Sequence, residues 1–260
     1  MPLVPEPVAP GVANSGSRQS AISKVMNVLE ALTFHDRVSE IGQATGMPTS
    51  TVHRILSELV ELGWVHFHDH RYVPGGRAIV LIQRLNVHGA AARIALPPLR
   101  RLNERTGFTV HLAIVHGYEA VYALKLEGRQ AYMMRSRVGD SLALHSSAIG
   151  KAVLALMSAE QVAQVADHRG LEPSTDATIS DLPTLMSHLD RVREQGWAMD
   201  DGENEINVRC IGAAITDRYD RPVGGVSLSA MRFDMTEEVI PAMSTLVVAA
   251  ARQVSAALRR

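Results

Sequence analysis

Residues 46–63 read GMPTSTVHRILSELVELG, and the fold of the first third of the chain turns on them. Gly46 suits a left-handed helix end, Met47 and Pro48 make the turn, and a new helix starts at Thr49. From Thr49 to Leu62 the residues Val52, Ile55, Leu56, Leu59 and Leu62 recur at helical spacing, which predicts one buried stripe ending at Gly63. Upstream, Ile22, Val25, Met26, Val28, Leu29 and Leu32 form a helical pattern behind a capping Ser20. A second short helix runs from an N-cap at Ser39 through Ile41 and Ala44 to Gly46. Downstream, Trp64–Phe67 and Arg71–Val73 flank a His-Asp-His tip, as the two strands of a hairpin do. Helix, helix, four-residue turn, helix and hairpin make a winged helix-turn-helix over residues 20–78. A linker helix is expected over 79–92.

The third helix carries the chemistry. Opposite its buried stripe lie Ser50, His53, Arg54 and Ser57. Thr49, Ser50 and Thr51 sit at its N-terminus, the end that enters the major groove in helix-turn-helix proteins, where hydroxyls and backbone N–H groups hold phosphates. Arg54, one turn inside, is long enough to reach a base edge. Arg71 stands beside the wing tip, near a phosphate. The DNA-contact candidates are therefore Thr49, Ser50, Thr51, His53, Arg54 and Arg71. A polar face alone marks any amphipathic surface helix; the turn and hairpin around this one are what point to double-stranded DNA. His66, His68 and His70 alternate at a spacing that suits either a metal or a polar tip. No carboxylate or cysteine is placed by sequence to complete a metal shell, so no metal is expected.

At 260 residues the chain is one large domain or two ordinary ones, and 46% apolar with 20% charged residues excludes a wholly disordered chain. Four of its twelve prolines fall within residues 1–19, which are expected to be a disordered tail. No apolar run approaches the roughly 18 residues of a membrane span, Leu246–Ala251 being the longest notable one, and the start does not look like a secretory signal. A soluble, cytoplasmic protein without a membrane partner is the expectation. The single cysteine, Cys210, excludes an intramolecular disulfide and a cysteine zinc site. The net charge of −1 hides an asymmetry: between Arg18 and Arg105 eleven basic residues meet seven acidic ones, so the rest is net acidic.

Residues 93–260 alternate less regularly. Helices are expected at Arg93–Thr106, Ser147–Met157, Ala159–His168 and Leu182–Gln195, and a last one is announced by Thr236 with Glu237 and Glu238. Strands are expected at Thr109–Val115, Ala120–Leu126, Ala131–Arg137, Arg209–Thr216 and Val223–Ala230, with Asp200 and Asp201 following the Leu182–Gln195 helix. Without strict βα alternation this is an α+β domain. Ser146 and Ser147 precede Ala148-Ile149-Gly150-Lys151 where a helix begins, and free N–H groups there would suit a carboxylate. A phosphate loop would need glycine at the His145 position and Ser or Thr at Ala152.

The arrangement resembles the IclR family of bacterial transcriptional regulators over about Ser20 to Ala257. The likeness rests on S-T-V-H-R (50–54), L-V-E-L-G-W (59–64), R-Y-V-P-G (71–75), R-S-R-V-G (135–139), L-H-S-S-A-I-G-K-A (144–152), V-R-E-Q-G-W-A-M-D-D (192–201), E-N-E-I-N-V-R-C (203–210) and S-L-S (227–229). Four positions depart from the family's habit: Thr49 replaces a basic residue, Asn207 a glycine, and Ala230–Met231 a Gly-Pro. The resemblance implies a GAF/profilin-like effector-binding domain. It implies a pocket in which Ser147 and the backbone of Ile149 and Gly150 meet Asp200, Cys210 and Ser227, with Met134, Leu142 and Val208 as the apolar wall. It further implies a small organic-acid effector, a homodimer or dimer of dimers, a pseudo-palindromic operator and action as a repressor. Cys210 could equally be inert core, and Asp200 with Asp201 a solvated pair. Met133 and Met134 cannot both face a pocket from a strand.

No G-x-S-x-G elbow, H-E-x-x-H or dinucleotide fingerprint is present, so neither an enzyme nor a cofactor is expected. The rival reading is a metabolite-binding or catalytic domain whose helix-turn-helix serves only for dimerisation.

Overall fold

Ser20 takes extended backbone, and its hydroxyl accepts a hydrogen bond from the Ser23 amide at 3.0 Å, which starts helix α1 (Ala21–Ala31) as the sequence predicts. The computed structural model describes residues 20–84, 87–129 and 132–259; the expected tail over 1–19 lies outside the described residues. Two units divide between Asn86 and Val87.

In the first unit α1 is followed by α2 (Val38–Thr45), α3 (Thr49–Glu61), the strands β1 (Val65–His68) and β2 (Arg71–Pro74), and α4 (Gly76–Arg84). Val28, Ile41, Val52, Leu56 and Val65 are fully enclosed in its core. Burying each such side chain contributes about 1.5–3 kcal/mol. Ser39 is not the cap of α2: Arg37 takes that position with extended backbone, and Ser39 falls in the first turn. Gly46 ends α2 with φ of 67°, where a side chain would cost about 1–2 kcal/mol. The hairpin turns on Asp69 and His70, both at positive φ, so His68 belongs to β1 and pairs with Arg71. The stretch expected as one linker helix is shared between α4 and the next helix.

The second unit opens with α5 (Val87–Thr106), which starts earlier than its predicted Arg93 and contains Pro97 and Pro98. It continues with β3 (Thr109–His116), β4 (Glu119–Leu126), β5 (Ser141–Leu142), α6 (Ala148–Leu154), α7 (Ala159–Arg169) and α8 (Leu182–Gln195). The strands β6 (Ala198–Asp201), β7 (Val208–Thr216) and β8 (Pro222–Met231) and the helix α9 (Ile240–Leu258) complete it. Among the described residues the strands form one antiparallel sheet in the order β5-β4-β3-β8-β7-β6. On one face α5 and α9 pack through Leu99, Val247 and Val254 against Val110, Leu112, Ile211 and Leu228. On the other, α6 to α8 pack through Ile149, Val153, Leu185 and Leu189.

Four expectations change here. Ala131 lies outside the described residues, and Tyr132–Arg137 is irregular rather than a strand. The Lys125 ammonium donates to the carbonyls of Met134 (2.7 Å) and Ser136 (2.8 Å), taking the place of a ladder partner. Asp200 and Asp201, expected only as a pair following the Leu182–Gln195 helix, belong to the edge strand β6, with Asp200 opposite Cys210. The last helix begins at Ile240 instead of Thr236: Val239 N closes a turn on Thr236 O at 3.1 Å, and Glu237 pairs with Arg209 at 2.9 Å. By length and composition α9 could cross a membrane, contrary to the sequence expectation. It packs instead as a core helix, with Val247, Ala250, Ala251 and Val254 buried.

Candidate DNA-reading face and ligand cleft

Burial of Val52, Ile55, Leu56 and Leu59 fixes the rotation of α3, leaving Ser50, His53 and Arg54 exposed on its opposite side. Thr49 is exposed at the N-terminus and Thr51 is half-buried. His53 Nδ1 lies 3.5 Å from Ser57 Oγ one turn on. Arg71, expected near a phosphate, already has a partner: its guanidinium donates to Asp36 Oδ2 at 2.5 Å, and Tyr72 N donates to Asp36 O at 2.8 Å. These bonds tie the wing to the α1–α2 turn. Such an exposed ion pair contributes about 0.2–1 kcal/mol. Arg71→Ala should therefore lower thermal stability slightly and leave the salt slope of duplex binding unchanged; a slope smaller by about 0.9 would place Arg71 on a phosphate after all. His66 and His68 share one side of β1, while His70 sits in the turn. Among the described residues no three His, Cys, Asp or Glu side chains are grouped to hold a metal.

The second site follows from strand alternation. Ile211 and Ala213 of β7, Val110 and Leu112 of β3, and Leu228 and Ala230 of β8 point into the α5–α9 layer. Cys210, His111 and Ser229 consequently point the other way, into a cleft of about 340 Å³. Its floor includes Asp200 of β6 and Tyr122 of β4, and its rim the segments around Met134–Leu142 and Asn204–Glu205. That volume is in the range of small-ligand pockets.

The electrostatics of the cleft are mixed. Asp200 Oδ1 accepts from Glu203 N (2.8 Å) and Asn204 N (3.3 Å). Burial outweighs those bonds and pushes its pKa up to about 7. Burial likewise raises the Cys210 thiol and the Tyr122 phenol, and lowers His111 to about 3 with help from Lys125. His111 is therefore neutral and bridges two hydroxyls, with Nε2 2.7 Å from Ser136 Oγ and Nδ1 3.4 Å from Ser229 Oγ. Glu205 accepts from the Tyr132 hydroxyl and lies 3.5 Å from Arg135 Nε.

Five expected pocket residues, Met134, Leu142, Asp200, Val208 and Cys210, come together in this cleft. Ser147, Ile149, Gly150 and Ser227 do not line it. Ser147 caps α6: its hydroxyl donates to Ala143 O (2.5 Å) and accepts from Gly150 N (3.1 Å), which occupies the amide expected to hold a carboxylate. Gly150 lies against backbone, since a Cβ there would fall 2.3 Å from the Leu144 Cα. Ile149 is core, packed over Gly225. Ser227 is buried on β8 opposite Gly212 and His111. Lys151 points inward, away from any phosphate role: it is fully enclosed and paired with Glu203. Thr175 and Thr178 hold the carbonyls of Gly202 (2.7 Å) and Glu203 (2.5 Å) beside that pair.

Sequence reading missed His111, Tyr122, Arg135, Asp140, Glu205 and Ser229. A lone histidine inside the apolar strand T-V-H-L-A-I-V was the available signal for His111, because buried polar groups need partners. Asn207 adopts φ of 67°, which explains why its position usually holds glycine.

Residues 21–69 match the IclR helix-turn-helix domain, and residues 82–256 match the C-terminal domain of bacterial transcriptional regulator IclR. The HTH-type transcriptional repressor AllR of Escherichia coli K12 is 32% identical over 97% of this chain and 93% of its own length. The transcriptional repressor IclR of the same organism is 29% identical over 85% of this chain and 82% of its own. Among solved structures, the IclR of Thermotoga maritima superposes with a TM-score of 0.77 at 33% identity, covering 92% of this chain and 98% of that one. An IclR homologue from Microbacterium hydrocarbonoxydans, solved in complex with 4-hydroxybenzoate, gives 0.74 at 24% identity over 92% and 99%, a likeness of fold.

Proposed function

The chain belongs to the IclR family of bacterial transcriptional regulators, and from that premise we propose that α3 reads operator DNA while a small organic acid in the cleft sets operator affinity. It is a ligand-regulated DNA-binding regulator and not an enzyme. One observation carries the specific reading: a single chain pairs an exposed Ser50–His53–Arg54 stripe on α3 with a polar cleft of ligand size in its second unit. Thr49, Ser50 and Thr51 would hold phosphates, and His53 and Arg54 would meet base edges. Asp200, Cys210, His111 and Ser229 would contact the ligand's polar groups, and Met134, Leu142 and Val208 its apolar part. The acid is favoured by the 4-hydroxybenzoate held in the Microbacterium homologue. Repression is favoured by the names of AllR and IclR.

A homodimer, or a pair of them, acting in the cytoplasm completes the proposal. Ile22 and Met26 lie exposed one turn apart on α1, and Ile79, Val80 and Leu81 lie exposed on α4. Such apolar side chains suit a partner copy. Two α3 helices related by a two-fold axis would read half-sites roughly 34 Å apart. An effector shifts this binding only through its different affinity for two states of the protein.

Footprinting on the DNA flanking the gene, with and without candidate acids, tests the reading. Protection of a palindromic site that a single acid abolishes or restores is expected. Asp200→Ala and Ser229→Ala should lose the acid response while still protecting the site; unchanged acid titrations in both would remove the cleft assignment. Retained duplex whose affinity does not fall with salt would instead favour a helix-turn-helix used only for dimerisation.

A further inference from the structure

Resting on the acid-binding reading of the cleft, we propose that the ligand's carboxylate binds together with a proton, shared between it and the carboxyl group of Asp200. Among the described residues Arg135 is the one lysine or arginine lining the cleft, and Glu205 already stands beside it at 3.5 Å. Against that single cation the lining places three carboxyl groups, Asp140, Asp200 and Glu205. Glu205 has the Tyr132 hydroxyl and Arg135, and Asp140 accepts from Arg137 N at 2.8 Å. Among the described residues Asp200 has only neutral donors, the amides of Glu203 and Asn204, and it is 2% exposed.

Among the described residues no neighbouring element supplies Asp200 with an uncommitted charge, although the Lys151 charge does pull its pKa down. From α6, Lys151 is committed to Glu203, whose own carboxyl group adds negative charge behind Asp200. From β7 comes the Cys210 thiol and from β4 the Tyr122 phenol, both kept neutral by burial. From β3 comes the uncharged His111. Lys125 is turned to the carbonyls of Met134 and Ser136 and to Glu127 at 2.8 Å. On β6 itself, Asp201 pairs with Arg209 (2.9 Å) and Arg232 (3.1 Å). Two carboxyl groups brought together in such a site hold one proton between them, as acid pairs do elsewhere. The raised pKa of Asp200 lowers the cost of that step.

The proton comes from solvent, and no bond between heavy atoms changes. Protonated Asp200 donates its O–H to the ligand carboxylate while its other oxygen still accepts the two amides. Below the Asp200 midpoint the proton is already in place. Above it each binding event takes up close to one proton, so acid affinity falls towards tenfold per pH unit.

The test uses the full chain. A carbon-detected NMR titration of aspartate carboxyl groups, assigned with Asp200→Asn, follows Asp200. Calorimetry with sodium 4-hydroxybenzoate, benzoate and acetate, in two buffers of different ionisation heat, counts protons. Asp200 titrating near 7, uptake approaching one proton at pH 8, and a flat pH profile for Asp200→Asn are expected. A midpoint below 5 overturns the proposal. So does acid binding without proton uptake and strengthened by Glu205→Gln; the acid then displaces Glu205 from Arg135, and the acid-binding reading stands. If none of the three acids binds while Asp200 still titrates near 7, the acid-binding reading itself fails, and proton sharing with it.

Discussion

Lys151→Met should destabilise the second unit by about 3–5 kcal/mol, because removing one partner of a buried ion pair leaves the other charge unbalanced. Lys151 has no exposed surface, and Glu203 beside it already has one carboxyl oxygen, Oε2, without a hydrogen-bond partner among the described residues. Burial holds the Glu203 pKa above the usual carboxylate value while the Lys151 charge pulls it down. Without Lys151 the carboxyl group must be protonated or drag water inward. In thermal melts a loss of this size lowers the midpoint by about 6–20 °C for a unit of this length. Adding Glu203→Gln to Lys151→Met should recover part of the loss, since no bare charge then remains. A shift under 2 °C for the single variant would mean that solvent reaches the pair.

Arg54→Ala should weaken specific operator binding by about 1–3 kcal/mol, or roughly 5- to 150-fold, and relax base preference at one position. Arg54 is exposed one turn inside α3, and packing of Ile55 and Leu56 beneath fixes the direction it leaves the helix. Gel-shift titrations on the footprinted site and on a scrambled duplex separate the two roles. Equal losses on both duplexes would make Arg54 a phosphate contact, and the salt slope would then fall by about 0.9. Thr49, where a basic residue is usual, makes the reader more dependent on Arg54, since no neighbouring cation at the helix start shares its work.

Local signals carried the reader almost completely. The period of Val52, Ile55, Leu56 and Leu59, a turn glycine and a short hairpin are each encoded within a few residues, and the helix they describe is α3. Ser39 failed as a cap because tertiary packing began α2 earlier, at Val38. In the second unit helices were again legible, α8 to the residue. Strand β6 was not, since four residues at a sheet edge show no period without knowing their partner Val208–Thr216. The cleft was half legible. Asp200, Cys210, Met134, Leu142 and Val208 were expected together, but His111 and Ser229 lie 118 positions apart and meet only through the β3–β8 pairing. Ser147 and Gly150 looked like an anion cradle in sequence. Their amide and hydroxyl groups satisfy each other once the helix forms, and only coordinates reveal that.

The irregular segment Tyr132–Arg137 bears on how relatives of one fold can answer to different molecules. A ladder strand in that position would pass each insertion or side-chain change to its neighbours through register. Here a single ammonium, that of Lys125, grips two carbonyl oxygens and holds the backbone without a ladder, so the side chains of Met134 and Arg135 can be exchanged, while Ser136 stays tied to His111 at 2.7 Å. Chemical taste can drift at this wall while the sheet behind it keeps its hydrogen bonds, so exchanges at 134 and 135 are where ligand preference would be re-engineered with the least risk to folding.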